Sequence, residues 1–365
     1  MRGWSRVISR QLKGGFNQYR GLRAFQSTRI AQMRKGYTQQ LWLGPCGLEH
    51  IKMALRERIR SGLDFSRLHT LEIGPLYRPF VLKSEGDVAY IDHTDTESLR
   101  AKYKDDPKFD VNDIVEVDAV WGDQSLQQCV GGRRFDVIIA SHVIEHVPDL
   151  ITWLEELRSV LADDGEIRLV IPDKRFTFDY TRPVTSLADV LDAYLRKTRS
   201  PLPRCILDHV LNVRVVDTAA AWAGPLDQAS LKRHHTYDLA VAAATDALST
   251  GNYHDVHCWV FTPASFASLM EVCARHGLID LACRDFEDTL FETLEFTAFL
   301  GPDSDRESVV ESWARVARAL QRSSRAFSVE GILLRAGRLR RRLLGGVRPF
   351  LGRVKASLRR RLPSH

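Results

Sequence analysis

Leu71-Glu72-Ile73-Gly74-Pro75-Leu76-Tyr77-Arg78-Pro79-Phe80 is the stretch on which the reading of this chain turns. The run from Leu68 to Ile73 has the length and apolar content of a buried parallel strand, and a glycine stands at its end. A turn tight enough to let a ligand touch the backbone wants glycine at that point. Leu76 and Pro79 break the spacing G-x-G-x-x-G, which disfavours a pyrophosphate seated on a helix start and with it NAD.

Outward from this turn, four further runs repeat the strand pattern: Val88 to Asp92, Ile114 to Asp118, Phe135 to Ala140 and Glu166 to Ile171. Leu150, Trp153, Leu154, Leu157, Val160 and Leu161 supply a helical stripe between the last two. Strands alternating with helices predict βαβ units in an α/β, doubly wound, mostly parallel sheet, whose ligands bind beyond the carboxyl ends of the strands. The rhythm then stops. Lys174 to His257 reads as an inserted lid with its own helices, for example Leu187 to Lys197 after Ser186. A strand is expected at Asp255 to Phe261, followed by a helix over Ala264 to His276 with Thr262 as its cap. Strands at Leu278 to Phe286 and Phe291 to Leu300 complete a sheet of seven.

Charge divides the chain differently. Residues 1–40 carry nine Lys/Arg and residues 331–365 carry eleven, with no acid in either stretch. Setting these aside leaves 32 basic against 46 acidic residues in the middle. Apolar residues recur at helical spacing through both ends, predicting basic amphipathic helices that can rest on an anionic membrane surface, with nucleic acid ranked behind. No run approaches the ~18 apolar residues of a spanning helix. The six cysteines form no C-x-x-C pair and fit reduced thiols, so the expected location is cytoplasmic or peripheral at the inner membrane surface. The expected organisation is a basic segment at 1–40, a cofactor-binding half at 41–173, the lid at 174–257, the rest of the sheet domain at 258–300, and a linker with a basic tail at 301–365.

Glu72, the Gly74 turn, the strand-closing acids Asp92 and Asp118, and the segment Ser141-His142-Val143-Ile144-Glu145-His146-Val147-Pro148-Asp149 together resemble a class I, Rossmann-type S-adenosylmethionine-dependent methyltransferase, in particular its small-molecule group. The resemblance runs from about Leu68 to Leu300 and implies S-adenosylmethionine as cofactor. It implies that Gly74 and Pro75 form the cradle, that Glu72 holds the methionine ammonium through the turn, and that Ser141 borders the pocket. Asp92 lies 20 residues past Glu72, the offset at which a carboxylate accepts ribose hydroxyls. Asp118 or the backbone of Ala119 would meet the adenine. The chain departs from the family in having Leu76 where a second glycine is common.

Methyl transfer needs an aligned acceptor and, for a hydroxyl, a base. Histidine titrates near neutrality, which makes His142 and His146 the first candidates, with Asp173 the third; His146 and Glu145 are expected at the start of the following helix. Lys174 and Arg175 would hold an anionic substrate group, and His234, His235 and His257 of the lid would face substrate. Ala140-Ser141-His142-Val143 replaces the Asn/Asp-Pro-Pro-Tyr segment of nucleobase amino methylators, which favours oxygen as acceptor, on a saccharide, a lipid-linked saccharide or another small polar metabolite. Two alternatives stand beside this reading: a peripheral scaffold that has lost turnover, and a zinc hydrolase using His142, Glu145 and His146, whose letters match an inverted zinc-protease motif. Pro148 argues against the helix such a motif needs, and no metal is expected.

Overall fold

The computed structural model describes residues 45–106 and 110–327. Both basic ends, with their expected amphipathic helices, lie outside these residues. In chain order the elements are α1 (Pro45–Arg60), β1 (His69–Ile73), β2 (Asp87–Asp92), α2 (Thr96–Tyr103), β3 (Ala119–Val120), α3 (Leu126–Cys129), β4 (Phe135–Ser141), α4 (Leu150–Val160), β5 (Leu161–Pro172), α5 (Leu187–Arg196), α6 (Pro203–Asn212), α7 (Thr218–Ala223), α8 (Tyr237–Thr250), α9 (Pro263–Arg275), β6 (Leu281–Glu287), β7 (Glu295–Pro302) and α10 (Arg306–Phe327).

The strands form one seven-stranded sheet in the order β3-β2-β1-β4-β5-β7-β6. β1 to β5 pair in parallel, whereas β7 runs antiparallel to both β5 and β6. The class I fold expected from the sequence is therefore present, with a hairpin-like pair at one edge. The period-two alternation of the strands explains how the sheet is covered. Leu71, Ile73, Ile138, Leu169 and Ile171 face Trp153 and Leu157 of α4, Phe266 and Met270 of α9, and Trp313 of α10. Val137, Ile139, Tyr90, Val170 and Phe299 face the other way, onto Ile59 and Phe65.

Local chemistry sets the helix boundaries. Asp149 caps α4 by accepting the Thr152 N–H, and Ser186 and Thr262 cap α5 and α9 through reciprocal capping boxes. Each spares orphan donors at a helix start.

Two expected strands differ. Residues 114–118 do not form β3; a short turn capped by Asp110 precedes them, and pairing with β2 is confined to Ala119 and Val120. Asp118 thus precedes the strand it was expected to close. Residues 255–261 are extended but join the sheet only through a single bridge between Asp173 and Phe261. β7 already occupies the free edge of β5, so this segment finds its backbone partners in loops instead. Cys258 N–H and Trp259 N–H donate to Glu145 O, and Lys174 N–H donates to Phe261 O. The chain between β5 and this segment carries α5 to α8, the helices expected of the lid.

The five described cysteines other than Cys46 are free thiols. No helix among the described residues is long and apolar enough to cross a membrane.

Trp313 is fully buried, stands 5.8 Å from Phe266 between ring centroids, and donates its indole N–H to Leu281 O at 2.8 Å. Trp313→Ala is expected to lower stability by about 3–5 kcal/mol, read as a shift of the urea unfolding midpoint without loss of cooperativity.

Candidate active site at the carboxyl edge of the sheet

Gly74 leaves β1 with φ +67°, a conformation that L side chains rarely adopt, and a Cβ there would lie 3.1 Å from Val143 Cγ2. Its N–H donates to Ile91 O, tying the turn to β2. Leu76 also has positive φ, +49°, a strained state for a side chain of its size, and its carbonyl accepts the Val115 N–H at 2.9 Å. No helix follows the turn among the described residues: Pro75 and Pro79 interrupt the chain, and it reaches β2 through turns.

Glu72 has a different task from the one expected. Its side chain is buried, and its two oxygens accept the Phe80 N–H at 2.8 and 3.0 Å and the Val81 N–H at 3.2 Å. It pins the loop after the glycine turn, and Arg56 and Arg60 hold the Pro79 and Phe80 carbonyls of the same loop.

Asp92 ends β2 with 7% of its surface exposed. Oδ1 accepts the His93 N–H at 2.7 Å and meets the His93 ring at 2.5 Å. Asp118 is engaged by its neighbours: Oδ2 accepts the Tyr90 N–H and Oδ1 the Lys83 ammonium. Trp121, Gly122 and Asp123 occupy the carboxyl end of β3 in its place, and Trp121 N–H donates to Asp92 O. A cavity of about 480 Å³, lined by Arg134, Arg158, Leu281 and Asp303 among others, opens at the opposite end of the sheet and is remote from this turn.

Beyond β4 the chain gathers histidines. Residues 142–147 form a turn, and α4 begins only at Leu150, so neither His146 nor Glu145 starts a helix and the zinc-protease geometry is not formed. Ser141 is the last residue of β4, half-buried beside the turn. His142 has φ +53° and a side chain 40% exposed, with Nδ1 3.6 Å from Glu145 Oε1. Backbone strain of this kind gathers at functional sites. Glu145 is 1% exposed, and neither of its carboxylate oxygens accepts a hydrogen bond. Nε2 of His146 and Nε2 of His257 each stand 3.9 Å from Glu145 Oε1. Burial works against ionisation of Glu145, yet the surrounding imidazoles hold its pKa below the ordinary value.

Each of these two histidines is oriented by an acid on its other nitrogen. His146 Nδ1 lies 2.9 Å from Asp255 Oδ1, and Asp255 also pairs with Lys102 at 3.0 Å. Desolvation lowers the His146 pKa, but Asp255 outweighs it and pushes the imidazole up to about 9. His257 Nδ1 lies 2.6 Å from Asp179 Oδ2, whose Oδ1 accepts Arg182 Nη1 at 2.7 Å. Arg182, 2% exposed, also donates to Asp208 and to His257 O. Sequence reading missed Asp179 and Arg182, although both fall in or beside the polar run after β5.

Other expected site residues are committed elsewhere. Asp173 is 0% exposed; Arg175 and Thr289 occupy its two oxygens, so it anchors the loop instead of serving as an open base. Arg175 is bound to Asp173, and Lys174 donates to Tyr180 O. His234 and His235 lie together, with His234 edge-on to Phe178, which in turn tilts onto His257. They are thus separated from the Glu145 cluster by that ring.

A family model described as a methyltransferase domain matches residues 90–273. Among solved structures, a DhpI complex with SAH is 14% identical, covering 76% of this chain and 97% of that one with a TM-score of 0.35. The magnesium protoporphyrin IX methyltransferase ChlM from Synechocystis PCC 6803 with bound SAH is 10% identical, covering 80% and 100% with a TM-score of 0.34. The CcbJ methyltransferase from Streptomyces caelestis is 12% identical, covering 68% and 89% with a TM-score of 0.33. Comparison with curated proteins finds no match.

Burial pushes the Glu72 carboxyl up to about 7 from 4.5, against the pull of the Phe80 and Val81 amides. Folded protein then keeps this proton to higher pH than the unfolded chain, so the associated stability is complete below 4.5 and lost as pH rises through about 7. Glu72→Gln cannot ionise, and its stability deficit relative to wild type is expected to shrink between about pH 5 and about pH 8 in chemical denaturation.

Proposed function

This chain belongs to the methyltransferase-domain family, and from that premise we propose that it transfers a methyl group from S-adenosylmethionine to an oxygen of a saccharide or another small polar metabolite. One observation carries the reading: a left-handed glycine turn at the carboxyl end of β1 lies beside a buried aspartate at the carboxyl end of β2. In a doubly wound sheet this is the crevice where nucleosides settle. Gly74 leaves room for an adenosyl group against the backbone, Asp92 accepts the ribose hydroxyls, and the backbone from Ala119 to Trp121 flanks the adenine.

The cofactor supplies a methyl already activated on a sulfonium, so the protein's work is alignment, exclusion of water and removal of one proton. His142 fits the base best. It is exposed enough to meet an acceptor, its turn packs through Val143 on Gly74, and buried Glu145 stands behind it to stabilise the imidazolium that forms. Glu145 keeps the His142 pKa above its ordinary value although desolvation opposes it, which suits acceptance of a hydroxyl proton. The segment from Tyr253 to Phe261 closes the crevice: Tyr253 approaches His93 at 6.4 Å between centroids, and Asp255 bridges Lys102 of α2 to His146. The absence of an Asn/Asp-Pro-Pro-Tyr segment after β4 supports oxygen over an aromatic amine as acceptor. The cationic ends support an acceptor met at an anionic membrane surface, such as a lipid-linked saccharide.

Calorimetry on the full chain tests the reading. S-adenosylmethionine and S-adenosylhomocysteine are both expected to bind, and Asp92→Ala to weaken each about 10- to 100-fold, the equivalent of about 1.5–3 kcal/mol for hydrogen bonds to a charged group. Absence of binding to the folded wild-type protein would overturn it.

A further inference from the structure

We propose that Glu145, His146 and His257 form a binding site for one divalent first-row transition ion of the zinc class, with an open coordination position toward the acceptor. One ligand atom from each of the three residues can be chosen so that all lie within 4.8 Å of one another. The sequence reading expected no metal, and it weighed His142, Glu145 and His146 only as a helical zinc motif; the residues that converge come from two segments more than a hundred positions apart.

Three observations carry the assignment independently of the methyl-transfer reading. The first is the state of Glu145. A carboxylate that is 1% exposed, with three imidazoles near one oxygen but no directed hydrogen bond to either, is costly, because buried ions need directed as well as paired partners. His146 and His257 stand at 3.9 Å, too far for hydrogen bonds. Ligands each ~2.1 Å from a shared ion lie about 3.0–3.4 Å apart, so the two imidazoles and the carboxylate must draw inward from their spread of up to 4.8 Å to close the site.

The second is orientation. Both imidazoles present Nε2 to Glu145 because Nδ1 of each faces an acid: Asp255 for His146, Asp179 for His257. Asp179 hydrogen-bonds His257 Nδ1 and so fixes that tautomer, while Asp255 lies 2.9 Å from His146 Nδ1 and acts on it through its charge; a carboxylate behind a histidine is the usual surrounding of a metal ligand. The third is rigidity. Cys258 N–H and Trp259 N–H donate to the Glu145 carbonyl, and Trp259 Nε1 donates to Val147 O at 2.6 Å, so the segment bearing His257 is fastened to the turn bearing Glu145 and His146.

Two imidazoles and one carboxylate suit zinc, cobalt, nickel or iron over magnesium or calcium. His142 Nδ1 stands 3.6 Å from the same Glu145 oxygen and its side chain is 40% exposed, and the fourth position is assigned to that side. In the next step, which rests on the methyltransferase reading, the acceptor hydroxyl oxygen binds the ion, which lowers its pKa. Its proton passes to His142, the new O–C bond forms as the S–C bond breaks, and the S–C electron pair stays on sulfur, leaving the neutral thioether.

The test is cobalt(II) titration of the chelator-treated full chain, read by visible absorption, with zinc displacing the cobalt. The expected result is one ion per chain with d–d bands. His146→Gln, which alters a partly exposed side chain, should weaken binding at least tenfold, as should Glu145→Gln where it folds. Asp255→Asn should weaken it about 10- to 100-fold through the orienting acid. Wild-type protein that takes up no stoichiometric cobalt, zinc, nickel or iron(II) overturns the site, as does unchanged affinity in folded His146→Gln. Cofactor calorimetry on the same samples separates the two readings: metal uptake without S-adenosylhomocysteine binding leaves the ion site standing and removes the methyl transfer, and the converse removes the ion.

Discussion

The buried pairing of Arg182 with Asp179 is the interaction on which the carboxyl edge depends. A charged pair removed from water is costly unless its remaining donors and acceptors are filled, and here they are. Asp179 spends its second oxygen on His257, and Arg182 spends its remaining donors on Asp208 and the His257 carbonyl. The pair therefore holds a segment that has no place in the sheet. Through Cys258 and Trp259 that segment then holds Glu145, and through Asp255 it holds His146. The sheet makes this clasp necessary, since β7 closes the edge of β5 and leaves residues 253–261 to be satisfied by loops.

How much of this could be read from the sequence follows from the range of the forces involved. The strands and capped helices are local: β-branched runs, Asp149, Ser186 and Thr262 announce them, and the sheet follows. The third strand was misplaced because residues 114–118 look like a strand, while pairing falls on Ala119 and Val120, where β2 supplies partners. The segment 255–261 is extended as its composition suggests, yet whether an extended run becomes a strand depends on a vacant edge, which only the assembled sheet reveals.

The site was legible residue by residue and not as an arrangement. His142, His146 and His257 stood out by type, and Glu145 by its neighbours, but the convergence of Glu145 with His257 spans more than a hundred residues and has no sequence period. Asp173, Asp118 and Glu72 show the opposite failure. Each is an acid in the expected position, and each is taken up by amides, hydroxyls or cations close at hand. An acid at the end of a strand is available for chemistry only when the loop after it leaves an oxygen unclaimed; at Asp92 the neighbouring His93 engages only Oδ1.

The Gly74 turn and Asp92, the proposed nucleoside crevice, are linked to the imidazole–carboxylate cluster by the packing of Val143 on the glycine turn. A crystal structure of the full chain grown with S-adenosylhomocysteine tests that join most directly. The ribose hydroxyls should lie on the Asp92 carboxylate, with the adenine along Ala119 to Trp121 and the sulfur turned toward His142. Density for the nucleoside elsewhere on the molecule, or a crevice at Gly74 filled by the Leu76 side chain, would contradict it.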